Sequence, residues 1–563
     1  MEAAYLFCNI MFTFILIGPS AVIAAPEFRF SFGTVRGVDS EAIGTGDLYY
    51  SYFGIPFAAP PVGNLRFKPP VAYTGFGPGN VITSKDYPKA CLQQPLPEEG
   101  SASEDCLHLN VFTPPGISAV SNPTVLKRVM VWIHGGGFTV GMTRGYTPGR
   151  LVTDHDVIVV SIQYRLGVLG FLSSGDDVLP GNLGLHDQVL ALKWVKDNIR
   201  QFSGDPDDVT LFGESAGGVS VSLLGLSPYG NGLFTKAVIM SGTALAPWAV
   251  IEHPKTTFYA VAEALGCMPR FFLPWNRKIY HRYILSCLET KNATQLNWQP
   301  KNDKGVFSLE EKTTVNFAAV VDGDLLPRSP ESLLRDDVYL RRHGVLDRSY
   351  VIGFTNAEGL MFAVEGFIEQ LVEPINMATV IRYIVRDDFS LTPTADILNV
   401  VDFQYTFPRE ADGSIPYQGF VDLTSDSSFV VASIQFAKAL SEKAPVYLYV
   451  FDHYPKFIGK YFSSYADLYT PESAPVPVAY RGALASFAKD RIPSYRLNPT
   501  LPTSSERNWP RYDLSQQQYL AISAKPEVRK EIFAQRVALW TDFLPRMAAK
   551  QSFFRPNGRV AYD

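Results

Sequence analysis

The sequence predicts an α/β fold in which a central, mostly parallel sheet carries helices on both faces. Short apolar runs alternate along the chain with stretches of helical periodicity, which is typical of a parallel sheet built from strand–helix–strand units. Val157–Tyr164 is rich in β-branched residues, as expected for a strand buried on both faces. In Gly184–Ile199 the apolar residues recur every three to four positions, which indicates a helix.

The same patterns place further elements. Strands are predicted at Arg128–Ile133, Val209–Phe212, Lys236–Ser241, Ser349–Phe354 and Val446–Phe451, and a C-terminal helix at Pro526–Phe543. In an open sheet of this kind the functional site lies at the carboxyl ends of the strands. The turns that follow these strands are therefore the first places to search for catalytic residues.

Composition bounds the class of protein. The chain has 563 residues, 46% hydrophobic and 19% charged, with a net charge of −5. These values are typical of a globular protein and exclude a disordered chain. The small net negative charge does not favour binding to nucleic acid. We predict one large domain at 26–550, followed by a short tail at 551–563.

The N-terminus has the pattern of a signal peptide over residues 1–25. No charged residue occurs between Ala3 and Ala25, and the apolar centre at Leu6–Ile17 is followed by Pro19 and by small residues. Cleavage is expected near Ala24 or Ala25, which predicts a secreted, extracellular protein. An uncleaved membrane tether is the alternative, because an uncharged segment of this length could span a bilayer.

The cysteines fit an oxidising compartment. Cys8 falls within the predicted signal peptide, and the other four pair most simply as Cys91–Cys106 and Cys267–Cys287, with other pairings open. Asn292-Ala293-Thr294 is a glycosylation sequon, so Asn292 is the predicted glycan site of a glycoprotein.

A serine elbow is the strongest functional signal. Gly213-Glu214-Ser215-Ala216-Gly217 lies between the Val209–Phe212 strand and an apolar helical stretch that starts with small residues. A serine on so tight a turn protrudes as a nucleophile, and the flanking glycines relieve the crowding. Ser215 would also lie at a helix N-terminus, where N–H groups favour developing negative charge.

A glycine loop supplies the second half of the same site. His134-Gly135-Gly136-Gly137 follows directly on the strand at Arg128–Ile133. Backbone N–H groups of such a loop can form an oxyanion hole. Elbow and loop together predict acyl transfer.

With these motifs the chain resembles the type-B carboxylesterases, the cholinesterase–carboxylesterase family of α/β-hydrolases. The resemblance extends from about Phe30 to Met547. Besides the elbow, the resemblance rests on Gly54–Ala58, Leu65–Phe67, Ser103–Leu107, Tyr164–Gly167 and Gly181–Gln188. It implies an α/β-hydrolase fold and a serine esterase that hydrolyses small-molecule carboxylic esters without a cofactor or a metal.

The resemblance also implies residue roles. Ser215 matches the nucleophile, and Gly136, Gly137 and Ala216 match the oxyanion donors. Glu358, which follows a predicted strand, matches the acid of the catalytic triad.

Further positions match structural features of the family. Two buried ion pairs are implied, Arg66–Glu104 and Arg165–Asp187, because buried charges need partners. Trp248 resembles an acyl-pocket residue, with plain core packing as the alternative.

The catalytic base is missing from its expected place. The family's histidine should lie somewhat over a hundred residues after Glu358, near Phe462–Leu468, where this sequence has none. The chain has eight histidines, and only His453 lies downstream of Glu358. A missing segment of sequence, a non-catalytic protein, or an unusual base such as His453 would each explain this.

Two classes of function follow. The first is a serine carboxylesterase that, without an imidazole base, would work at least about a hundredfold more slowly than a complete triad. The alternative is a non-catalytic, extracellular binding or adhesion protein on the same fold, with a protein partner.

Overall fold

The computed structural model describes residues 25–75, 81–82, 85–93, 101–117, 125–269, 277–297, 317–362, 377–408, 417–452, 475–496, 506–523 and 525–553. The predicted signal peptide lies outside these ranges, except for Ala25. Within them, no helix is both long enough and apolar enough to cross a membrane.

One large sheet organises the described part of the chain. Its eleven strands stand in the order β11-β10-β9-β8-β7-β6-β4-β5-β3-β2-β1. In chain order they are β1 Val38–Glu41, β2 Leu48–Pro56, β3 His108–Thr113, β4 Lys127–Ile133, β5 Ile158–Ile162, β6 Gly204–Glu214, β7 Lys236–Met240, β8 Ser349–Thr355, β9 Val446–Phe451, β10 Gln518–Ile522 and β11 Glu527–Lys530.

The centre of the sheet is parallel and its two edges are antiparallel. All pairings from β5 through β4, β6, β7, β8 and β9 to β10 are parallel. On one side β3, β2 and β1 continue antiparallel, and on the other β11 does. The predicted α/β-hydrolase fold with a mostly parallel central sheet is confirmed.

Helices fill the connections. They are α1 Gly149–His155, α2 Gly167–Phe171, α3 Leu183–Asn198, α4 Ala216–Leu226, α5 Pro254–Ala264, α6 Arg277–Glu289, α7 Ala293–Leu296, α8 Pro330–Leu334, α9 Asp337–Arg342, α10 Met377–Tyr383, α11 Ala395–Thr406, α12 Tyr417–Ser425, α13 Val431–Ser441, α14 Pro475–Asp490, α15 Ala534–Ala538 and α16 Leu544–Phe553. Short π-helical turns at Ile384–Asp388, Asp426–Val430 and Leu539–Phe543 extend α10, join α12 to α13 and join α15 to α16.

The two faces of the sheet bury separate clusters. On β6, Leu211 packs with α3, α4 and α13 on one face, whereas its neighbour Phe212 packs with α1 and α14 on the other. Successive strand residues point to opposite faces, so a strand buried on both sides has to be apolar throughout. This explains why the central strands could be recognised from sequence.

One predicted element is wrong in part. The predicted helix at Pro526–Phe543 contains β11 at its start, and helix begins only at Ala534. All four residues of Glu527–Lys530 are exposed at the sheet edge. Without a buried face, such a strand carries no alternation of apolar and polar residues that could identify it.

The predicted cross-links are present. Cys91 is bonded to Cys106 and Cys267 to Cys287. Each of the two predicted ion pairs is bidentate: Arg66 binds Glu104 and Arg165 binds Asp187. Paired and hydrogen-bonded in this way, the buried charges are compensated.

A third buried ion pair was not predicted. Arg536 Nε lies 3.0 Å from Asp426 Oδ2, and the Tyr405 hydroxyl donates to the same oxygen at 2.7 Å. The partners come from α15 and from the turn between α12 and α13, and no local sequence pattern links such distant positions.

Candidate active site

Ser215 occupies a sharp turn between β6 and α4. Its backbone angles are φ 57° and ψ −124°, a region that a residue with a Cβ adopts only at a cost of about 1–3 kcal/mol. The Ser215 N–H donates to the Met240 carbonyl of β7 at 2.9 Å. The turn is therefore fixed to the sheet while the serine side chain projects from it.

The two glycines of the elbow are required by close backbone contacts. A Cβ at Gly213 would lie 2.6 Å from the Gly217 carbonyl. A Cβ at Gly217 would overlap the Ile133 carbonyl at the end of β4. Any larger residue would push α4 away from the sheet, because backbone atoms cannot move aside as a side chain can.

The glycine loop lies directly against the nucleophile. A Cβ at Gly135 would stand 3.0 Å from the Cβ of Ser215. Gly136 and Gly137 have φ 106° and 58°, values that favour glycine. Among the described residues, no acceptor binds the N–H groups of Gly136, Gly137 or Ala216, so these donors are unpaired beside Ser215.

Buried side chains hold the glycine loop in place. The Tyr164 hydroxyl donates to the His134 carbonyl at 2.9 Å, and the two rings stack with centroids 4.4 Å apart. His134 Nδ1 lies 2.9 Å from the Gly135 carbonyl oxygen. Burial lowers the pKa of His134 to about 4. The ring is therefore neutral at physiological pH, and its Nδ1–H donates to that carbonyl.

Gln93 clamps the loop from its other end. Its side-chain oxygen accepts from the Gly141 N–H at 2.9 Å, and its amide nitrogen donates to the Gly141 carbonyl at 2.8 Å. A Cβ at Gly141 would overlap His134 and the Gly135 carbonyl. Gln93 thus fixes Gly141, which packs against the start of the glycine loop.

Glu358 lies in the turn after β8, at the carboxyl end of the sheet. One of its oxygens, Oε1, accepts from the Ser241 hydroxyl at 2.7 Å and from the Thr355 N–H at 2.6 Å. Burial raises the pKa of Glu358 above its ordinary value, although these hydrogen bonds oppose the shift. The carboxyl group is held in one orientation by two donors.

A second carboxyl group stands beside the nucleophile. A Cβ built on Gly135 would lie 2.8 Å from Glu214 Oε2 and 3.0 Å from the Ser215 Cβ. Burial, and to a smaller degree the charge of Glu358, raise the pKa of Glu214 to about 7. The site therefore contains two coupled acids, one of which adjoins the nucleophile in the chain.

No imidazole joins Ser215 to Glu358 within the described residues. The hydrogen bonds of the Glu358 carboxylate come from Ser241 and Thr355. His134 belongs to the oxyanion loop, and His281 lies elsewhere between Asp176 and Tyr259. His453 and the Phe462–Leu468 segment, where the base was sought, lie outside the described residues.

Trp248 lies near the elbow. A Cβ at Gly242 would stand 2.6 Å from the Ser215 carbonyl and 3.2 Å from the Trp248 ring. The indole N–H donates to the Ser428 carbonyl at 3.0 Å, and the ring packs against Phe429. Trp248 thus lies near the elbow and is hydrogen-bonded to the turn that joins α12 and α13.

Sequence reasoning did not identify all the supporting residues. Gln93, Tyr164 and Ser241 support the site through hydrogen bonds between distant parts of the chain. Tyr164 belongs to a motif of the family resemblance, but its contact with the glycine loop was not predicted. Glu214 was noted as part of the elbow but not as a titrating group. Glu358 was the available signal, since two acids at the carboxyl ends of strands in one sheet can lie close enough to couple.

Comparisons with known proteins agree with this geometry. Residues 24–540 match the model of the Carboxylesterase family. The chain is 32% identical to "Pyrethroid hydrolase Ces2e" of Rattus norvegicus over 93% of this chain and 90% of that protein. It is also 32% identical to "Cocaine esterase" of Oryctolagus cuniculus, over 93% and 97%, and to "Bile salt-activated lipase" of Bos taurus, over 87% and 82%. The alternative of a non-catalytic binding protein is not favoured by these matches.

Proposed function

This chain belongs to the carboxylesterase family of α/β-hydrolases and is a carboxylic ester hydrolase, and we propose that its reaction passes through an acyl-enzyme on Ser215. The observation that carries the proposal is the strained elbow, which presents Ser215 against the Gly135–Gly137 loop. A serine on such an elbow attacks a carbonyl, and a glycine loop binds the oxyanion that forms.

Each residue has one task in this scheme. The Ser215 Oγ forms a bond to the ester carbonyl carbon as its proton passes to a base. The N–H groups of Gly136, Gly137 and Ala216 stabilise the oxyanion, and removal of one such donor typically lowers kcat by about a hundredfold or more. The alcohol leaves, and water then releases the acid from Ser215 by the same route. Glu358 acts as the acid that supports the base.

The substrate is a small carboxylic ester, bound within a single catalytic domain at 26–550. The relatives named as pyrethroid hydrolase and cocaine esterase support a small-molecule substrate. The position of Trp248 near the elbow supports a role for this side chain in lining the acyl side of the pocket.

The protein is secreted and glycosylated in this proposal. Two disulfides support an oxidising compartment. Asn292 is exposed before α7, where its side-chain oxygen accepts from the Gln295 N–H at 2.9 Å. Its amide nitrogen, the atom to which a glycan is attached, is not used in that hydrogen bond.

The test is hydrolysis of p-nitrophenyl butyrate by the full chain. We expect turnover, and mass spectrometry of acid-quenched enzyme should find a butyryl group on Ser215. Ser215→Ala should lower kcat/KM by at least about a hundredfold. Ser222→Ala, in the same helix but with its hydroxyl donating to the Val219 carbonyl, should retain activity. Undiminished turnover by Ser215→Ala would refute the acyl-enzyme.

A further inference from the structure

A row of side chains crosses the sheet beside the nucleophile. Glu214 of β6 pairs with Met240 of β7, Met240 with Gly353 of β8, and Gly353 with Tyr449 of β9. Residues that pair directly across parallel strands share one face of the sheet. Glu214, the Gly353 backbone and the Tyr449 ring therefore form one surface, on the face covered by α14.

Two tyrosine hydroxyls on this surface, one from α14 and one from β9, are hydrogen-bonded to each other. The Tyr480 hydroxyl of α14 lies 2.9 Å from the Tyr449 hydroxyl and donates to Met240 Sδ at 2.7 Å. The Tyr449 ring lies over Gly353, where a Cβ would overlap it. Neither tyrosine donates to Glu214.

The two acids of the site differ in what binds them. Glu358 is bound by Ser241 and Thr355 through the same oxygen. No described residue donates a hydrogen bond to the Glu214 carboxylate or forms an ion pair with it. Glu214 as a residue is partly exposed to solvent, and its carboxylate is the less constrained of the two.

Glu214 is also placed close to the serine. Its Oε2 and the Ser215 Cβ both lie within 3.0 Å of the point that a Gly135 Cβ would occupy. A general base has to act across a hydrogen bond or through one water molecule. Gly135 has no side chain, so no Cβ occupies this point between the Glu214 carboxylate and the Ser215 Cβ.

We propose that Glu214 takes the proton of Ser215 in this chain, in place of an imidazole. The proposal rests on the acyl-enzyme proposed above. When Oγ bonds to the ester carbon, its proton goes to a Glu214 oxygen, and that proton then goes to the departing alkoxide as the C–O bond breaks. Water attacks the acyl-enzyme and gives a proton to Glu214, which returns it to Oγ as the acid leaves.

The environment suits this role. A base works best when its pKa lies near the working pH, and the pKa of Glu214 is raised to about 7. The titratable groups that face it are Glu358 and three tyrosines, Tyr164, Tyr449 and Tyr480. Burial raises the pKa of each tyrosine above 10. A rise of activity through neutral pH therefore belongs to the carboxyl pair.

The first experiment is the pH profile of kcat/KM for p-nitrophenyl butyrate. Activity should rise with pH through about 7, and Glu214→Gln should lower it by about a hundredfold and remove the rise. Glu252→Gln, at an exposed site, is the control for loss of a charge.

The second experiment separates a proton role from a structural role. Glu214→Ala should be inactive, and added formate should restore part of its turnover, since a small carboxylate can occupy the vacated position. No rescue by formate would overturn the proposal. Loss of activity in His453→Ala equal to that in Glu214→Gln would also overturn it and assign the base to the imidazole.

The outcomes distinguish the two proposals. An inactive Ser215→Ala with a fully active Glu214→Gln would refute only the role of Glu214. An active Ser215→Ala would refute the acyl-enzyme itself.

Discussion

The nucleophile side and the proton side of this site are built from different materials. The nucleophile side consists of backbone: an elbow with φ 57° at Ser215 and a loop whose glycines pack on it. The proton side consists of carboxyl side chains, Glu214 and Glu358, whose properties are set by their surroundings. The first side is fixed by steric contact and the second is adjusted by burial and charge.

This difference explains what substitutions can do. Where backbone atoms touch, a single added carbon has no space, so the nucleophile side should fail abruptly. Where charge and burial set a pKa, a substitution shifts an equilibrium by degrees.

The largest effect is expected from Gly217→Ala. Its Cβ would overlap the Ile133 carbonyl, and two backbones would have to separate. We expect a loss of about 3 kcal/mol in the free energy of unfolding, together with loss of esterase activity. Gly225→Ala in the same helix is the matched control, because its Cβ meets nothing closer than a Tyr350 ring atom at 4.0 Å. Urea denaturation measures the free energy of unfolding of both variants. Equal values for the two would contradict the steric argument.

The proton side should show the opposite behaviour, with stability gained as function is lost. The folded state raises the pKa of Glu214 from the ordinary 4.5 to about 7. Between these values the folded protein holds a proton that the unfolded chain has released, so stability falls as pH rises through that window.

Glu214→Gln removes this penalty. The variant should be more stable than the parent by about 3 kcal/mol at pH 8 and equal to it near pH 4. Denaturation at both pH values measures the difference, with Glu252→Gln as control. A gain that is the same at both pH values would contradict an ionisation origin.

A smaller effect is expected at Glu358. Its charge helps to raise the pKa of Glu214, so Glu358→Gln should shift the rise of kcat/KM to lower pH. The weaker base should lower the plateau by about tenfold. The exposed Glu263→Gln should leave the profile unchanged, and an unshifted profile in Glu358→Gln would mean that the two acids are not coupled.

The same contrast governs how far the sequence could predict the molecule. The central strands were found because burial on both faces demands apolar residues throughout, whereas β11 was taken for helix because all its residues are exposed. Ser215 and the glycine loop were found because backbone contacts demand glycine at fixed positions.

The supporting side chains could not be predicted, because their contacts join distant positions. Gln93 and Gly141 are 48 residues apart, and Tyr480 and Met240 are 240 apart. A pKa set by burial is equally invisible before the fold is known. The sequence does show that no histidine follows His453, and sequencing the transcript over codons 454–485 would establish whether a segment with a histidine is missing.

The smallest effect is expected from Gln93→Ala, which loosens the nucleophile side without a steric clash. The variant loses both hydrogen bonds to Gly141 and one to the Cys91 carbonyl, a cost of about 1–2 kcal/mol in stability. Since Gly141 packs on the oxyanion loop, kcat should fall severalfold while KM changes little. Gln163→Ala is the matched control. That buried amide also donates to two carbonyls, those of Lys89 and Cys106, but neither belongs to the glycine loop. It should lose similar stability and keep its kcat, whereas equal loss of kcat in both variants would show that general loosening, and not the position of the oxyanion loop, limits turnover.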